Sequence, residues 1–145
     1  MKTKLIAHTI IFDRNREFLI IKRADTEKIY PGFWDVPGGA AKENENQEKA
    51  ALREIFEETG LKLQSLHLIN FTCDLDLKKK TRFVRMIFLG IYSGGKIKLN
   101  HNDHTEFKWI KFKNIKTEKK ILKYIEESLK KLKKSNELMG IKKFF

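Results

Sequence analysis

The chain has 145 residues, 41% of them hydrophobic and 34% charged, with a formal net charge of +12. That is enough apolar chain to exclude disorder and to bury a core without disulfides, too little for two comfortable domains, so residues 1–145 are expected to form one. No apolar run approaches the roughly 20 residues of a membrane span, Met1–Thr9 lacks the apolar core and cleavage site of a secretory signal, and the lone Cys73 can form no intramolecular disulfide, so a cytoplasmic, reducing location with no membrane partner is expected.

Leu5–Phe12 is apolar and β-branched and predicts a strand. Asp13–Arg16 is a turn cluster, and Glu17–Lys22 a second strand that would pair with the first as a hairpin. Ala24–Phe33 reads as a loop, Trp34–Val36 as a short edge strand, and Pro37-Gly38-Gly39 as a break in regular structure. Asn46–Thr59 is the clearest helix, with Asn46 as N-cap, Glu48 in its first turn and Gly60 as the residue that ends it. Leu61–Leu77 predicts one or two strands, Arg82–Tyr92 a long one, and Phe107–Phe112 another. A last helix, capped by Thr117, would carry the apolar stripe Ile121, Leu122, Ile125, Leu129 and Leu132. Strands with one middle and one terminal helix predict an α/β (α+β) fold, a mixed central sheet with helices packed on its faces. Lys111–Phe145 holds 12 lysines against 4 glutamates. A solvated helix face accounts for them better than a polyanion site, and with 25 lysines to 6 arginines in the whole chain the excess is compositional.

The middle helix carries Glu54, Glu57 and Glu58 on one side, within about a turn of each other. Like charges at this spacing repel, and the helix dipole disfavours anions near its C-terminus. A hard divalent cation would offset both penalties, because Mg²⁺ prefers carboxylate oxygens. An acidic patch balanced by Arg53 is the alternative.

These residues belong to a longer pattern. Gly39 is followed after five residues by Glu45, after seven more by Arg53-Glu54-Ile55, and then by Phe56, Glu57-Glu58, Thr59 and Gly60-Leu61. At every fixed position this resembles the signature box of the Nudix hydrolase family, and a chance match at a given start is rarer than about one in 10⁸ from ordinary residue frequencies. Trp34-Asp35-Val36-Pro37-Gly38 ahead of the box extends the resemblance.

The resemblance implies a Nudix-type α/β/α sandwich and cleavage of a nucleoside diphosphate linked to another group, using Mg²⁺ or Mn²⁺. It implies Glu57 and Glu58 as metal ligands, Glu54 as a further ligand or the base, and a backbone carbonyl near Gly39 on the metal. Arg53 would orient a glutamate, Glu45 would support Arg53, and Gly60 would be structural. It further implies that Glu106, three residues before Trp109, comes back over the metal as ligand or general base, with an ordinary loop glutamate as the alternative, and that Arg23 lines a nucleotide pocket as in MutT-type members, with a surface strand end as the alternative. Trp34 could stack on a base or pack in the core. His101 and His104 read as solvated, Cys73 as a packing residue, and Asn114 as too loosely aligned to assign. The expected substrate is a (deoxy)nucleoside triphosphate. ADP-ribose, a nucleotide sugar, a dinucleoside polyphosphate and an RNA 5′ end are alternatives, and so is an RNA-binding module that does not cut. A monomer or homodimer is expected, with nucleic acid not the favoured partner.

Overall fold

The first long apolar run becomes the central strand. In the computed structural model, which describes residues 1–145, β1 (Lys2–Phe12) pairs in parallel with β6 (Thr81–Ile91) along its whole length, from Lys2↔Thr81 to Phe12↔Ile91. β2 (Glu17–Arg23) follows a turn in which the Asp13 carboxylate accepts the backbone N–H groups of Asn15 and Glu17 at 2.8 and 3.0 Å. The expected hairpin is nearly absent: β1 and β2 meet in register only at Phe12↔Phe18. The other half of that edge of β1, at Ile6 to His8, is taken by β4 (Gly38–Ala40). β2 pairs instead with β7 (His104–Lys111) along its length, and with β3 (Trp34–Asp35). β5 (His67–Asp76) closes the far side against β6, so the seven-stranded sheet is mixed, with β1–β6 as its parallel pair.

The sheet is apolar on both faces, and the period-2 alternation sorts its side chains. Ile10, Phe12, Phe18, Ile20, Ile87 and Leu89 pack toward α2 (Lys123–Leu138), where Ile125 and Leu129 are fully buried. Ala7, Ile11, Leu19, Ile21 and Phe88 pack toward α1 (Gln47–Thr59), against Ala50, Ala51 and Ile55. The result is the expected helix–sheet–helix sandwich.

Several local expectations are corrected. Pro37-Gly38-Gly39 does not break regular structure: Gly38 and Gly39 are in β4, because a strand without side chains can lie where a side chain would collide with β1. Thr117 does not cap the last helix. It ends a 3-10 turn, Phe112–Thr117, where its hydroxyl donates to the Asn114 carbonyl at 2.7 Å. The helix begins six residues later, at Lys123, with Leu122 as a cap that makes no side-chain hydrogen bond. Its N-terminus is set by tertiary pairing, since Trp34 accepts the Leu122 N–H and donates its own to Lys120. Cys73 is exposed rather than packed. β5 is the outermost strand, and its Phe71 and Leu75 are likewise 64% and 58% exposed. No helix is long and apolar enough to cross a membrane.

Candidate active site

α1 is built as its sequence predicts. The Asn46 side chain accepts the Lys49 N–H at 2.9 Å, and Gly60, at φ 75°, closes the other end by donating to the Phe56 carbonyl. Ala50, Ala51 and Ile55 face the sheet. At 100° per residue, Glu58, Glu54 and Glu57 lie about 60°, 100° and 160° from Ile55 around the helix. Their exposure follows that order: Glu58 is buried, Glu54 mostly buried, and Glu57 half exposed. The three carboxylates thus form a ramp from core to solvent.

Each carboxylate has a protein partner, and Glu54 and Glu57 share theirs. Glu58 accepts the Gly38 N–H at 2.9 Å. Arg53 Nη1 reaches Glu54 at 2.9 Å and Glu57 at 3.1 Å, while Nε and Nη2 grip Glu45 at 2.9 and 2.7 Å and Nη2 also donates to the Ala40 carbonyl. That two-pronged hold on Glu45 keeps its carboxyl down at about 2 and raises the Arg53 guanidinium further. Burial acts in the opposite sense on the other two acids. It raises Glu54 against the pull of Arg53, and raises Glu58 well above the usual carboxylate range despite the Gly38 hydrogen bond. β4 lies close enough for this only because Gly38 and Gly39 carry no side chains. A Cβ on Gly39 would meet Glu54 Oε1 at 2.7 Å, and one on Gly38 would meet the Ala7 carbonyl oxygen at 2.3 Å.

The carboxylates share a helix side, but they do not converge on one point. No three His, Cys, Asp or Glu side chains are gathered closely enough to hold an ion by themselves, because Arg53 draws Glu54 and Glu57 one way and Gly38 draws Glu58 the other. This still fits a hard cation of the Mg²⁺ type, which takes one or two carboxylates and fills its other positions with water and substrate phosphate. Glu57 is half exposed, and the burial that raises Glu54 and Glu58 disfavours their charged forms, a cost that a bound cation would offset.

Outside the helix, Glu106 on β7 and Glu57 line one cleft of about 640 Å³, together with His101. Glu106 is exposed, with Lys22 Nζ 3.3 Å from its Oε2. Arg23 lines a different cleft of about 770 Å³, which reaches Gly38, Gly39 and Ala40 at one end and the start of α2 at the other. The Arg23 side chain is already engaged: Nε donates to the Ile29 carbonyl at 2.8 Å, and its guanidinium lies 3.5 Å from Asp35 and 3.7 Å from Glu27. Trp34 is not among the residues around that cleft; it packs against the core under α2, with Lys108 over its ring. His104, expected to be solvated, is 4% exposed. It starts β7 opposite Arg23, and burial lowers its pKa.

Residues 2–132 match the NUDIX domain. The chain belongs to the Nudix family. Its curated relatives include a Bacillus subtilis (strain 168) protein named "Putative 8-oxo-dGTP diphosphatase", 28% identical over 104 residues covering 72% of this chain and 64% of that protein. The match therefore spans somewhat less than two-thirds of the length of that Bacillus relative. Nucleoside triphosphatase NudI of Escherichia coli (strain K12) is 28% identical over 103 residues, covering 65% of this chain and 72% of NudI. Among solved structures, the MutT protein from Methanosarcina mazei Go1 superposes with a TM-score of 0.81 at 21% identity, covering 93% of this chain and 96% of that one, which establishes the Nudix fold.

Four polar residues of this Nudix chain escape sequence reasoning because nothing in their spacing links them. Asp35 is 3% exposed at the wall of the Arg23 cleft, where it accepts the Val36 N–H and the Tyr124 hydroxyl. His8 Nε2 lies 4.0 Å from it, and the Arg85 guanidinium sits over the Tyr124 ring at 5.0 Å. Burial pushes the His8 imidazole down to about 4 and the Tyr124 hydroxyl well up. An acid directly after Trp34 in an otherwise apolar stretch was the one available signal for this cluster.

Proposed function

We propose that this Nudix chain is a pyrophosphohydrolase that depends on Mg²⁺ or Mn²⁺ and cuts a nucleoside diphosphate-linked substrate, with (deoxy)nucleoside triphosphates the foremost class. The observation that carries the reading is the box folded as one connected unit, with Arg53 joining Glu45, Glu54 and Glu57 and Glu58 tied to Gly38. Glu57, Glu58 and Glu54, with the Gly39 carbonyl, would hold the cation. When bound, such an ion neutralises phosphate charge and lowers the pKa of a coordinated water.

The chain's own groups do the rest. Arg53, anchored by Glu45, fixes the direction of Glu54 and Glu57. Glu106 faces the cleft of Glu57 and takes the proton of the attacking water at its carboxylate. The water oxygen forms a bond to one phosphorus, the bond from that phosphorus to the bridging oxygen breaks, and the bridging oxygen leaves with the other phosphate. The nucleoside occupies the cleft that begins at Gly38–Ala40, between the apolar side chains of Ile6, Phe33 and Leu122. Arg23 is assigned to holding the wall of that cleft, through Ile29 and Asp35, and Trp34 to the packing beneath it.

The names of the Bacillus and Escherichia relatives support a triphosphate substrate. A domain that binds without cutting would have no use for the full set of glutamates. The deciding experiment is a panel of triphosphates, ADP-ribose, nucleotide sugars and dinucleoside polyphosphates, with and without Mg²⁺, read as phosphate release after adding inorganic pyrophosphatase or phosphatase. Release from a triphosphate in Mg²⁺ alone is expected; silence across the panel in both Mg²⁺ and Mn²⁺ would overturn the proposal.

A further inference from the structure

The nucleoside cleft does not end at the nucleoside. Lys4, Ile6, Ile29 and Arg85 belong both to it and to a second cleft of about 700 Å³, so the two form one groove running from the glycines of β4 to the turn between β5 and β6. The outer part is cationic. Lys2, Lys4, Lys79 and Arg85 line it against a single acid, Asp74, and none of the four cations is in an ion pair. Arg85 stands at the junction, its guanidinium stacked on Tyr124. Phe83 and Ile29 add an apolar surface beside the charges. The other lysine-rich cleft, between the 3-10 turn and α2, contains Lys113, Lys116, Lys130, Lys133 and Lys134 but shares no residue with either part of this groove.

A nucleotide whose 5′ phosphates lie at the box has two other ends. The base is uncharged, whereas the ribose hydroxyl edge can carry an anion. We propose that the outer cleft, between Lys2, Lys79 and Phe83, is a second subsite that takes a phosphate ester on the ribose 3′ oxygen of the substrate nucleotide. The proposal rests on the assignment of the inner cleft to the nucleoside. Two sources share this chemistry: the terminal phosphate of a nucleoside 3′,5′-bisphosphate unit, and the first phosphodiester of an oligonucleotide, whose next base would meet Phe83.

Titration calorimetry with guanosine 5′-monophosphate, guanosine 3′,5′-bisphosphate and the dinucleotide pGpU tests it, with the adenosine series as the base control. None of these ligands has a pyrophosphate bond, so the outcome is independent of the hydrolysis assay that decides the proposed function. The bisphosphate is expected to bind about tenfold more tightly than the monophosphate, with a steeper loss of affinity in salt. In the Lys2→Gln/Lys79→Gln double variant that advantage should shrink to within about twofold, while monophosphate affinity and melting temperature stay as in the wild type. pGpU binding as tightly as the bisphosphate assigns the subsite to an oligonucleotide end; an advantage confined to the bisphosphate assigns it to a free 3′ monoester. Equal affinity of monophosphate and bisphosphate for the wild-type chain overturns the proposal. Loss of monophosphate affinity in the variant overturns it too, because the 5′ phosphate would then lie in the outer cleft.

Discussion

Glu57 is the half-exposed carboxylate at the top of the ramp, held only by Arg53. Glu57→Gln keeps that contact in neutral form but removes charge from the cation site. Steady-state kinetics should show kcat lowered by about 10²–10³, as for loss of one well-placed electrostatic group, with the melting temperature unchanged; full activity in saturating Mg²⁺ would rule Glu57 out as a ligand. Glu106→Gln should lower kcat more than it changes KM, with residual activity shifted toward alkaline pH, where hydroxide replaces the missing base. An unchanged rate would return Glu106 to the role of Lys22's partner. His8 bears on stability. Its pKa is held at about 4 in the fold by burial, against 6.5 when free. Above pH 6.5 both states are neutral and the site contributes nothing to pH dependence. As pH falls from 6.5 to 4 the unfolded chain gains the proton first, so stability is lost, by about 3 kcal/mol at pH 4. His104 acts in the same direction, while the raised Glu54 and Glu58 act in the opposite one. The measurement is therefore a difference: denaturant unfolding between pH 7 and 5 should show a shallower loss in His8→Gln than in the wild type, and parallel curves would contradict the burial of a neutral imidazole.

Among the elements, β4 and α2 carry the strongest tests. β4 is a strand made possible by two glycines, and Gly39→Ala inserts a methyl where Glu54 Oε1 lies only 2.7 Å away. The flexible end of Glu54 can swing aside, so the fold should survive while Glu54 leaves its place beside Arg53; a loss of activity larger than the loss of stability is expected. Gly38→Ala meets the Ala7 backbone oxygen at 2.3 Å and cannot be relieved by a side-chain rotation. It should destabilise the chain by about 1–3 kcal/mol or more, as overpacking does. α2 is held by its apolar stripe. Ile125 and Leu129 are 0% exposed under the sheet, whereas Lys130, Lys133 and Lys134 are solvated. Leu129→Ala should cost about 2–5 kcal/mol, seen as a lowered melting temperature. Replacing Lys130, Lys131, Lys133 and Lys134 by glutamine should leave triphosphate hydrolysis nearly unchanged. Salt-sensitive RNA binding lost in the lysine variant would instead favour an RNA substrate.

Over the whole molecule, α1 and α2 bury opposite faces of one sheet, and the box lies on α1 and β4, with Glu57 sharing a cleft with Glu106 of β7. The chain is expected to fold without a cation, because every box carboxylate already has a protein partner. A chelator should therefore abolish hydrolysis while leaving the circular dichroism spectrum in place. Unfolding on chelation would mean that the cation is structural.

The box was legible in the sequence because its chemistry is local. Gly39 to Leu61 is one loop and one helix, so fixed spacings translate directly into helix faces, and the Glu45–Arg53 pair and the Asn46 and Gly60 ends fall where those spacings put them. The sandwich was legible for a similar reason, since the near-continuous apolar runs Leu5–Phe12 and Arg82–Tyr92 encode strands buried on both faces. Pairing was not. β1 abandons most of its hairpin with β2 because β4 claims its edge, and that competition between strands distant in sequence leaves no mark in either. Nor could spacing reveal that Arg53 would separate carboxylates aligned on one helix, that His104 would be buried, or that Asp35, Tyr124, His8 and Arg85 would meet at one cleft. The four residues of that cleft come from four different segments, and their proximity exists only once the sheet has ordered its strands and α2 has docked on it.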